Sequence, residues 1–227
     1  MEGTLILVAE SFSGRTDVGP NAGAVAHALG EPLLVDADAS AVREALIGAR
    51  RPVIVSAECS VATGTLPWLA GHHPDARVLW LDAHADFNTP DTSPSGYVGG
   101  MPVAAATGQF DARLEPPLLP ADRLVFAGLR DVDPGEQQLL DTSGATVADT
   151  LDAVPDALGD APVFVHFDAD VIDGFPSAFP PPPGGPTADE LRELLASVAA
   201  RNPIVGVTIA SVAGPPETVL SILEPLL

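Results

Sequence analysis

The chain of 227 residues is 46% hydrophobic, which is typical of a globular protein with one core, so we expect a single domain over residues 1–227. Its formal net charge of −21 repels phosphate backbones and excludes nucleic acid as an expected partner. The apolar runs are too short to cross a bilayer, no secretory-type leader pattern is present, and Cys59 is the single cysteine. These features predict a cytoplasmic protein with no membrane partner and no internal disulfide bond.

Short apolar runs alternate with alanine- and leucine-rich stretches along the chain. The predicted strands are residues 4–8, 53–56, 77–81, 124–127, 163–167 and 204–209, and the predicted helices are 21–29, 40–49, 149–158 and 188–200. Thr187 and Glu190 form the pattern of a capping box at the start of the last helix. Most strands are continuously apolar, as in a parallel sheet that is covered on both faces. The pattern predicts an α/β fold with a mostly parallel sheet.

Polar side chains follow several predicted strands directly. These side chains are Glu58 and Cys59 after the second strand; Asp82, His84 and Asp86 after the third; Arg130, Asp131 and Asp133 after the fourth; and Asp168, Asp170 and Asp173 after the fifth. The carboxyl ends of the strands in an open parallel sheet form the ligand crevice. We therefore expect these groups to converge on one rim of the sheet.

The spacing of two of these clusters suggests a metal site. Asp82, His84 and Asp86 alternate with alanines, so an extended segment would direct all three side chains the same way, and Asp168 and Asp170 repeat the spacing. Short pairs of aspartates are also common in surface turns. Two such clusters, each directly after a buried strand, favour divalent metal ions, and a set of oxygen ligands with one imidazole suits Mn²⁺.

Three motifs carry a resemblance to a known family. Residues 82–90 (DAHADFNTP) resemble the DAHxD-x-NTP signature of arginases, agmatinases and related ureohydrolases, and residues 167–173 (FDADVID) are similar to the second signature of that family. Residues 128–136 (GLRDVDPGE) are similar to a stretch that is characteristic of arginases. The resemblance implies a compact version of the three-layer α/β/α arginase fold.

The resemblance also implies the chemistry of the site. Asp82, His84, Asp86, Asp168 and Asp170 match the metal ligands of two Mn²⁺ ions that hold a hydroxide between them for attack on a guanidino carbon. Asp86 would in addition be catalytic, accepting a hydrogen bond from that hydroxide and helping to move its proton to the leaving amine.

One ligand position departs from the family pattern. Cys59 stands where the first signature of the family, GGDHS, has a metal-binding histidine. A lone cysteine can be a small buried hydrophobic residue, but the position directly after a strand favours a thiolate ligand. A thiolate weakens the preference for Mn²⁺, and it leaves other divalent metals or a single bound ion open.

Two further departures lie at the reacting end of the expected substrate. Gly99 occupies the position of a histidine that is thought to shuttle protons in arginases, and Ser211 occupies that of a glutamate that binds the guanidinium. A charged guanidinium requires a carboxylate partner because it does not release its proton. The substitution of that glutamate by serine therefore favours a less basic group that carries its own oxygen.

The residues that match the amino-acid end of the arginase substrate are retained. Asn88 and Ser95 match positions that contact the α-carboxylate, and Asp133 and Glu136 match positions around the α-ammonium, although each could be an ordinary turn or cap residue. Together they favour a guanidino amino acid as the small-molecule partner. The leading hypothesis is hydrolysis of Nω-hydroxy-L-arginine to L-ornithine and hydroxyurea within a biosynthetic pathway.

Three alternatives remain at this point. The chain could be an ordinary arginase, a non-catalytic binding protein with a ureohydrolase fold, or a hydrolase of another amidine such as formimino-glutamate. The oligomeric state is left open. His166 is interpreted as a core residue that is hydrogen-bonded to a neighbour, and by strand alternation its side chain should point the same way as that of Asp168.

Overall fold

The computed structural model of the protein describes residues 3–227. It contains an eight-stranded sheet in the order β2-β1-β3-β8-β7-β4-β5-β6, and all neighbouring strands are parallel. The strands are β1 (Leu5–Val8), β2 (Leu33–Leu34), β3 (Val53–Ser56), β4 (Arg77–Leu81), β5 (Leu124–Ala127), β6 (Thr146–Val147), β7 (Val163–Asp168) and β8 (Ile204–Ala210). The six predicted strands are therefore confirmed, while the short edge strands β2 and β6 were not predicted.

The described helices are α1 (Ala22–Leu29), α2 (Ala39–Ala45), α3 (Ala62–His72), α4 (Pro102–Ala106), α5 (Pro134–Ser143), α6 (Val154–Leu158), α7 (Ala188–Arg201) and α8 (Pro216–Leu223). The capping box of Thr187 and Glu190 begins α7 as predicted. Two predicted helices are shorter than expected. Helix α2 ends at Ala45 instead of residue 49, and α6 begins at Val154 instead of residue 149, after a 3-10 turn. Within residues 3–227, no helix combines the length and the apolar character needed to span a membrane.

Alternate residues of each central strand face two separate hydrophobic clusters. On β4, Leu79 and Leu81 pack with helices α1, α6, α7 and α8, whereas Val78 and Trp80 pack with α2, α3, α4 and α5. Both faces of the sheet are therefore covered, which explains why the strand sequences are continuously apolar. The predicted three-layer α/β/α architecture is confirmed.

The polar residues lie together at the carboxyl ends of the central strands. Strands β3, β8, β7 and β4 are consecutive neighbours. Leu81 pairs with Phe167 and Asp168 pairs with Ala210, so Asp82, Asp168 and Ser211 leave the sheet at the same level. The expected convergence is confirmed for these strand ends, whereas the side chains of Arg130 and Asp173 bind backbone atoms of residues 182–185 and line neither cavity of the site.

Candidate metal and substrate site

All predicted metal-ligand residues line one small cavity at the carboxyl ends of the four central strands. They are Cys59, Asp82, His84, Asp86, Asp168 and Asp170. This inner cavity has a volume of about 40 Å³. Such a space accommodates metal ions or a few water molecules but not an amino acid.

Local hydrogen bonds orient the carboxylates at the ends of β4 and β7. The backbone amide of His84 donates to Oδ1 of Asp82 (2.7 Å), and the amide of Asp170 donates to Oδ1 of Asp168 (2.9 Å). The indole Nε1 of Trp80 donates to the second oxygen of Asp82, at 3.1 Å. In both cases an aspartate at the end of a strand accepts a hydrogen bond from the backbone amide two residues later. The two strands therefore end in turns of the same kind.

His84 lies between carboxylates from two strands. Its Nδ1 is 3.5 Å from Oδ1 of Asp82 and 3.3 Å from Oδ2 of Asp170. Burial lowers the pKa of His84, but hydrogen bonds to Asp170 and Asp82 outweigh burial and raise the pKa to about 12. One ligand atom from each of these three residues lies within 4.8 Å of the others, as a shared metal ion requires.

The sulfur of Cys59 is directed at carboxylates and lies on the cavity wall. Its Sγ is 2.8 Å from Oδ2 of Asp168 and 3.8 Å from Oδ2 of Asp82. Burial, and then the charge of Asp168, raise the pKa of the Cys59 thiol well above its usual value. Cys59, Asp82 and His166 form a second group whose ligand atoms lie within 4.8 Å of one another. A thiol among anionic oxygens favours a metal-ligand role over a role as apolar filler.

The buried carboxylates of the cavity repel one another. Burial, and then the charge of Asp170, raise the pKa of Asp82 to about 6 and that of Asp168 well above its usual range. Burial, followed by the charge of Asp82, raises the pKa of Asp86 in the same way. Oδ2 of Asp86 is buried without a hydrogen-bond partner. An orphan carboxylate oxygen inside a set of O, N and S donors fits bound divalent cations, which would compensate the accumulated charge.

Two residues of the inner cavity other than glycine have a left-handed backbone. Asp86 has φ 51° and Ser211 has φ 58°. Residues other than glycine adopt this region at a cost of about 1–3 kcal/mol, and such strain is concentrated at functional sites. Ser211 lines the inner cavity, and its Oγ lies 3.9 Å from Sγ of Cys59.

A larger outer cavity of about 480 Å³ opens from the inner one. Four of the predicted substrate residues line it: Asn88, Ser95, Asp133 and Glu136. His84 and Asp86 line both cavities. The predicted metal ligands therefore lie together around the inner cavity, and four of the predicted substrate residues lie around the outer cavity. Ser211, the fifth, lines the inner cavity beside the metal ligands.

The residues of the outer cavity also hold one another in place. Nδ2 of Asn88 donates to Oδ2 of Asp133 at 2.9 Å. Glu136 accepts hydrogen bonds from the backbone amides of Phe87 (2.6 Å) and Asp133 (3.2 Å), and the bond from Asp133 is part of a capping box at the start of α5. Burial raises the pKa of Glu136 to about 7 in spite of these amide donors. Asp133 and Glu136 thus both line the cavity and begin a helix.

Tyr97 was not predicted as a cavity residue, and Glu58, which was expected at this rim, was given no role in the site. Tyr97 lines both cavities, and its hydroxyl donates to Oε2 of Glu58 at 2.7 Å. Glu58 is buried and also accepts a hydrogen bond from the backbone amide of Ser13 at 3.0 Å. The ring of Tyr97 packs against Phe179 with 4.7 Å between the ring centroids. The signal that could have identified Tyr97 is Gly99, because the missing side chain leaves room for a large neighbour.

The family model and the similar proteins that match this chain all point to one family. The model described as "Arginase family" matches residues 20–219. The Nω-hydroxy-L-arginine amidinohydrolase of Streptomyces lavendulae is 37% identical over 185 residues, which are 78% of this chain and 66% of that protein. The hepatic arginase of Aquarana catesbeiana is 35% identical over 178 residues, which are 67% of this chain and 54% of that protein. These alignments cover less than two thirds of the length of either relative.

A solved structure shares the fold over nearly the whole chain. The crystal structure of arginase from Bacillus subtilis aligns with a TM-score of 0.81 at 23% identity, covering 99% of this chain and 97% of the other. At this level of identity the likeness describes the fold alone.

Proposed function

The chain belongs to the arginase family, and from this premise we propose that it is a metal-dependent amidinohydrolase whose substrate is Nω-hydroxy-L-arginine. The oxygen of a water molecule attacks the guanidino carbon, and the bond from that carbon to the side-chain nitrogen breaks. The products are L-ornithine and hydroxyurea. The observation that carries the substrate assignment is the uncharged Ser211 on the wall of an inner cavity that is otherwise rich in carboxylates.

Two divalent ions, with Mn²⁺ as the first choice, are the cofactors of this proposal. His84 and Asp170 would hold one ion and Cys59 and Asp168 the other, and Asp82 contributes to both groups of ligand atoms. Asp86, with its unpartnered Oδ2, completes the set. When bound, such ions supply Lewis acidity and lower the pKa of water into the neutral range.

Asp86 is the residue we assign to proton transfer. It lines both cavities, so its carboxylate reaches the junction where the reacting carbon of a bound amino acid would lie. Its carboxylate accepts the proton of the attacking water and returns it to the nitrogen of the leaving amine. Burial, followed by the charge of Asp82, raises the pKa of Asp86, so its carboxylate accepts a proton more readily than an exposed aspartate does.

The reacting end of the cavity suits a weakly basic group. A hydroxyl at Ser211 donates or accepts one hydrogen bond but does not neutralise a guanidinium. An N-hydroxyguanidine is less basic than a guanidine and carries an oxygen that a serine hydroxyl can bind. Asp86 then donates the proton to the leaving amine, and no histidine is needed at position 99, where Gly99 lines the cavity.

The outer cavity suits the α-amino and α-carboxylate groups. Asn88 and Ser95 provide amide and hydroxyl donors for a carboxylate, and Asp133 provides an anionic acceptor for an ammonium. A substrate that lacks these groups would forgo the hydrogen bonds to its charged ends, each of which contributes about 1.5–3 kcal/mol. The pair of cavities therefore favours an α-amino acid over a simple amine.

Ordinary arginase activity is the second candidate, and one observation favours it. Glu58 is a carboxylate on the wall of the inner cavity outside the proposed ligand set. Its oxygens are already occupied by Tyr97 and Ser13. A guanidinium would have to compete with those donors, which is why we place hydroxyarginine first.

The test is turnover of L-arginine and of Nω-hydroxy-L-arginine by the full chain loaded with Mn²⁺, with ornithine release measured for both. The proposal predicts a higher kcat/KM for the hydroxylated substrate and loss of activity in Asp86→Asn. A higher kcat/KM for L-arginine would assign the chain to ordinary arginases. Bound metal without turnover of either compound would overturn the substrate assignment, and failure to bind any divalent ion would favour a binding protein.

A further inference from the structure

His166 is buried next to Cys59 in the core of the protein. It stands on β7 two residues before Asp168, and it is 1% exposed. Its Nε2 is 3.2 Å from Sγ of Cys59. The inner cavity is lined by Cys59, and His166 is not among the described residues that line it. The imidazole therefore contacts the sulfur without lining the cavity, and its ligand atom lies within 4.8 Å of those of Cys59 and Asp82.

The orientation of the imidazole is held by Trp80. The two rings are parallel, with 0° between their planes and 3.5 Å between their centroids. Trp80 also donates its Nε1 hydrogen to Asp82, so the same indole orients a proposed ligand and the histidine. A ring fixed in this way presents Nε2 to the sulfur without further rotation.

We propose that His166 is a positioning residue for Cys59, whose Nε2–H donates a hydrogen bond to the Cys59 thiolate when that thiolate binds metal. This inference rests on the metal centre of the proposed function. In this arrangement a thiolate ligand is backed by an imidazole, so Cys59 and His166 act as a unit.

The consequence of this hydrogen bond is electronic. A thiolate donates more negative charge to a metal than an imidazole does, which makes the metal a weaker Lewis acid. A hydrogen bond to the sulfur withdraws part of that charge, as outer-sphere partners do for metal ligands in general. His166 would thereby preserve the Lewis acidity that the cysteine substitution reduces.

The experiment is the absorption spectrum of the full chain loaded with Co²⁺, in which a thiolate ligand produces a sulfur-to-cobalt charge-transfer band in the near ultraviolet. We expect the band in the wild-type protein and its loss in Cys59→Ser. His166→Phe keeps a ring against Trp80 but removes the donor, so the band should move to longer wavelength with the bound cobalt unchanged. His166→Gln places an amide N–H near the same position and should return the band towards its wild-type wavelength.

The outcomes separate the two proposals. An unshifted band in His166→Phe would overturn the positioning role, because the hydrogen bond would then not affect the sulfur. Loss of one cobalt equivalent in that variant would also overturn it, because His166 would then be a ligand itself. Absence of the band from the wild-type protein would instead remove Cys59 from the metal centre of the proposed function. His166→Leu provides a second donor-free variant in case the phenylalanine variant does not fold, with circular dichroism as the control for folding.

Discussion

The ring of Tyr97 occupies the space in which a side chain at position 99 would stand. A Cβ atom on Gly99 would lie 2.3 Å from Cε1 and 2.6 Å from the hydroxyl oxygen of Tyr97. The glycine at position 99 and the tyrosine at position 97 are thus two parts of one change. Through its hydroxyl, Tyr97 also connects this wall of the cavity to Glu58.

The first prediction concerns this pair. Gly99→Ala should displace the ring of Tyr97, break its hydrogen bond to Glu58 and reduce kcat/KM. In a Tyr97→Ala background the added methyl group meets no ring, so Gly99→Ala should then have little further effect. A double-mutant cycle on kcat/KM measures the coupling. Equal effects of Gly99→Ala in both backgrounds would show that the two positions act independently.

The second prediction concerns substrate choice at Ser211. Ser211→Glu should raise kcat/KM for L-arginine relative to Nω-hydroxy-L-arginine by roughly ten- to a hundredfold, because a hydrogen bond to a charged group contributes about 1.5–3 kcal/mol. Ser211→Ala is the matched control, since it removes the hydroxyl without adding charge. An unchanged preference in the glutamate variant would mean that Ser211 does not face the reacting group.

The third prediction concerns the proton-transfer residue. Asp86→Asn keeps the shape of the side chain but removes its basicity, so kcat should fall by about 100-fold or more. Asp91→Asn makes the same chemical change at an exposed position a few residues away and should leave kcat unchanged. Near-normal turnover in Asp86→Asn, with metal bound, would assign proton transfer to another group.

The fourth prediction concerns pH and metal. Burial raises the pKa of Asp82 from 3.8 to about 6, so the folded protein binds the proton more tightly than the unfolded chain does. Stability of the metal-free protein should therefore fall as pH rises through about 4–6, by an amount on the order of 1–3 kcal/mol. His84, whose pKa is raised to about 12, adds a loss of the same sign above its ordinary value of 6.5.

Thermal unfolding of protein treated with a chelator, compared at about pH 5 and about pH 8, measures this effect. Saturation with Mn²⁺ should reduce or reverse the difference, because the cations compensate the ionised carboxylates and bind only the folded state. A metal-free protein that is more stable at the higher pH would contradict the electrostatic account of the cavity.

The metal-ligand candidates could be predicted from the sequence because they depend on local spacing and on strand ends. Asp82 and Asp168 follow strands whose continuous apolar runs are unambiguous, and parallel strands present their carboxyl ends at one edge. Strand alternation also predicted that His166 faces the same side as Asp168, and the core position expected for it is confirmed, but its neighbour Cys59 could not be named from the sequence.

Other features depend on long-range packing and could not be predicted. Helix α3 contains Pro67 and is buried over most of its length, so it shows neither an amphipathic period nor a favourable composition. The role of Tyr97 depends on how its loop packs against Glu58, which is 39 residues earlier in the chain. No local pattern reports a contact of that kind.

The most direct test of the central claim is a competition between the two substrates in one reaction. L-arginine and Nω-hydroxy-L-arginine at equal concentration both release ornithine, but the first yields urea and the second hydroxyurea. The ratio of hydroxyurea to urea therefore gives the ratio of the two kcat/KM values. The account predicts that hydroxyurea exceeds urea for the Mn²⁺-loaded protein, whereas urea in equal or larger amount would contradict it.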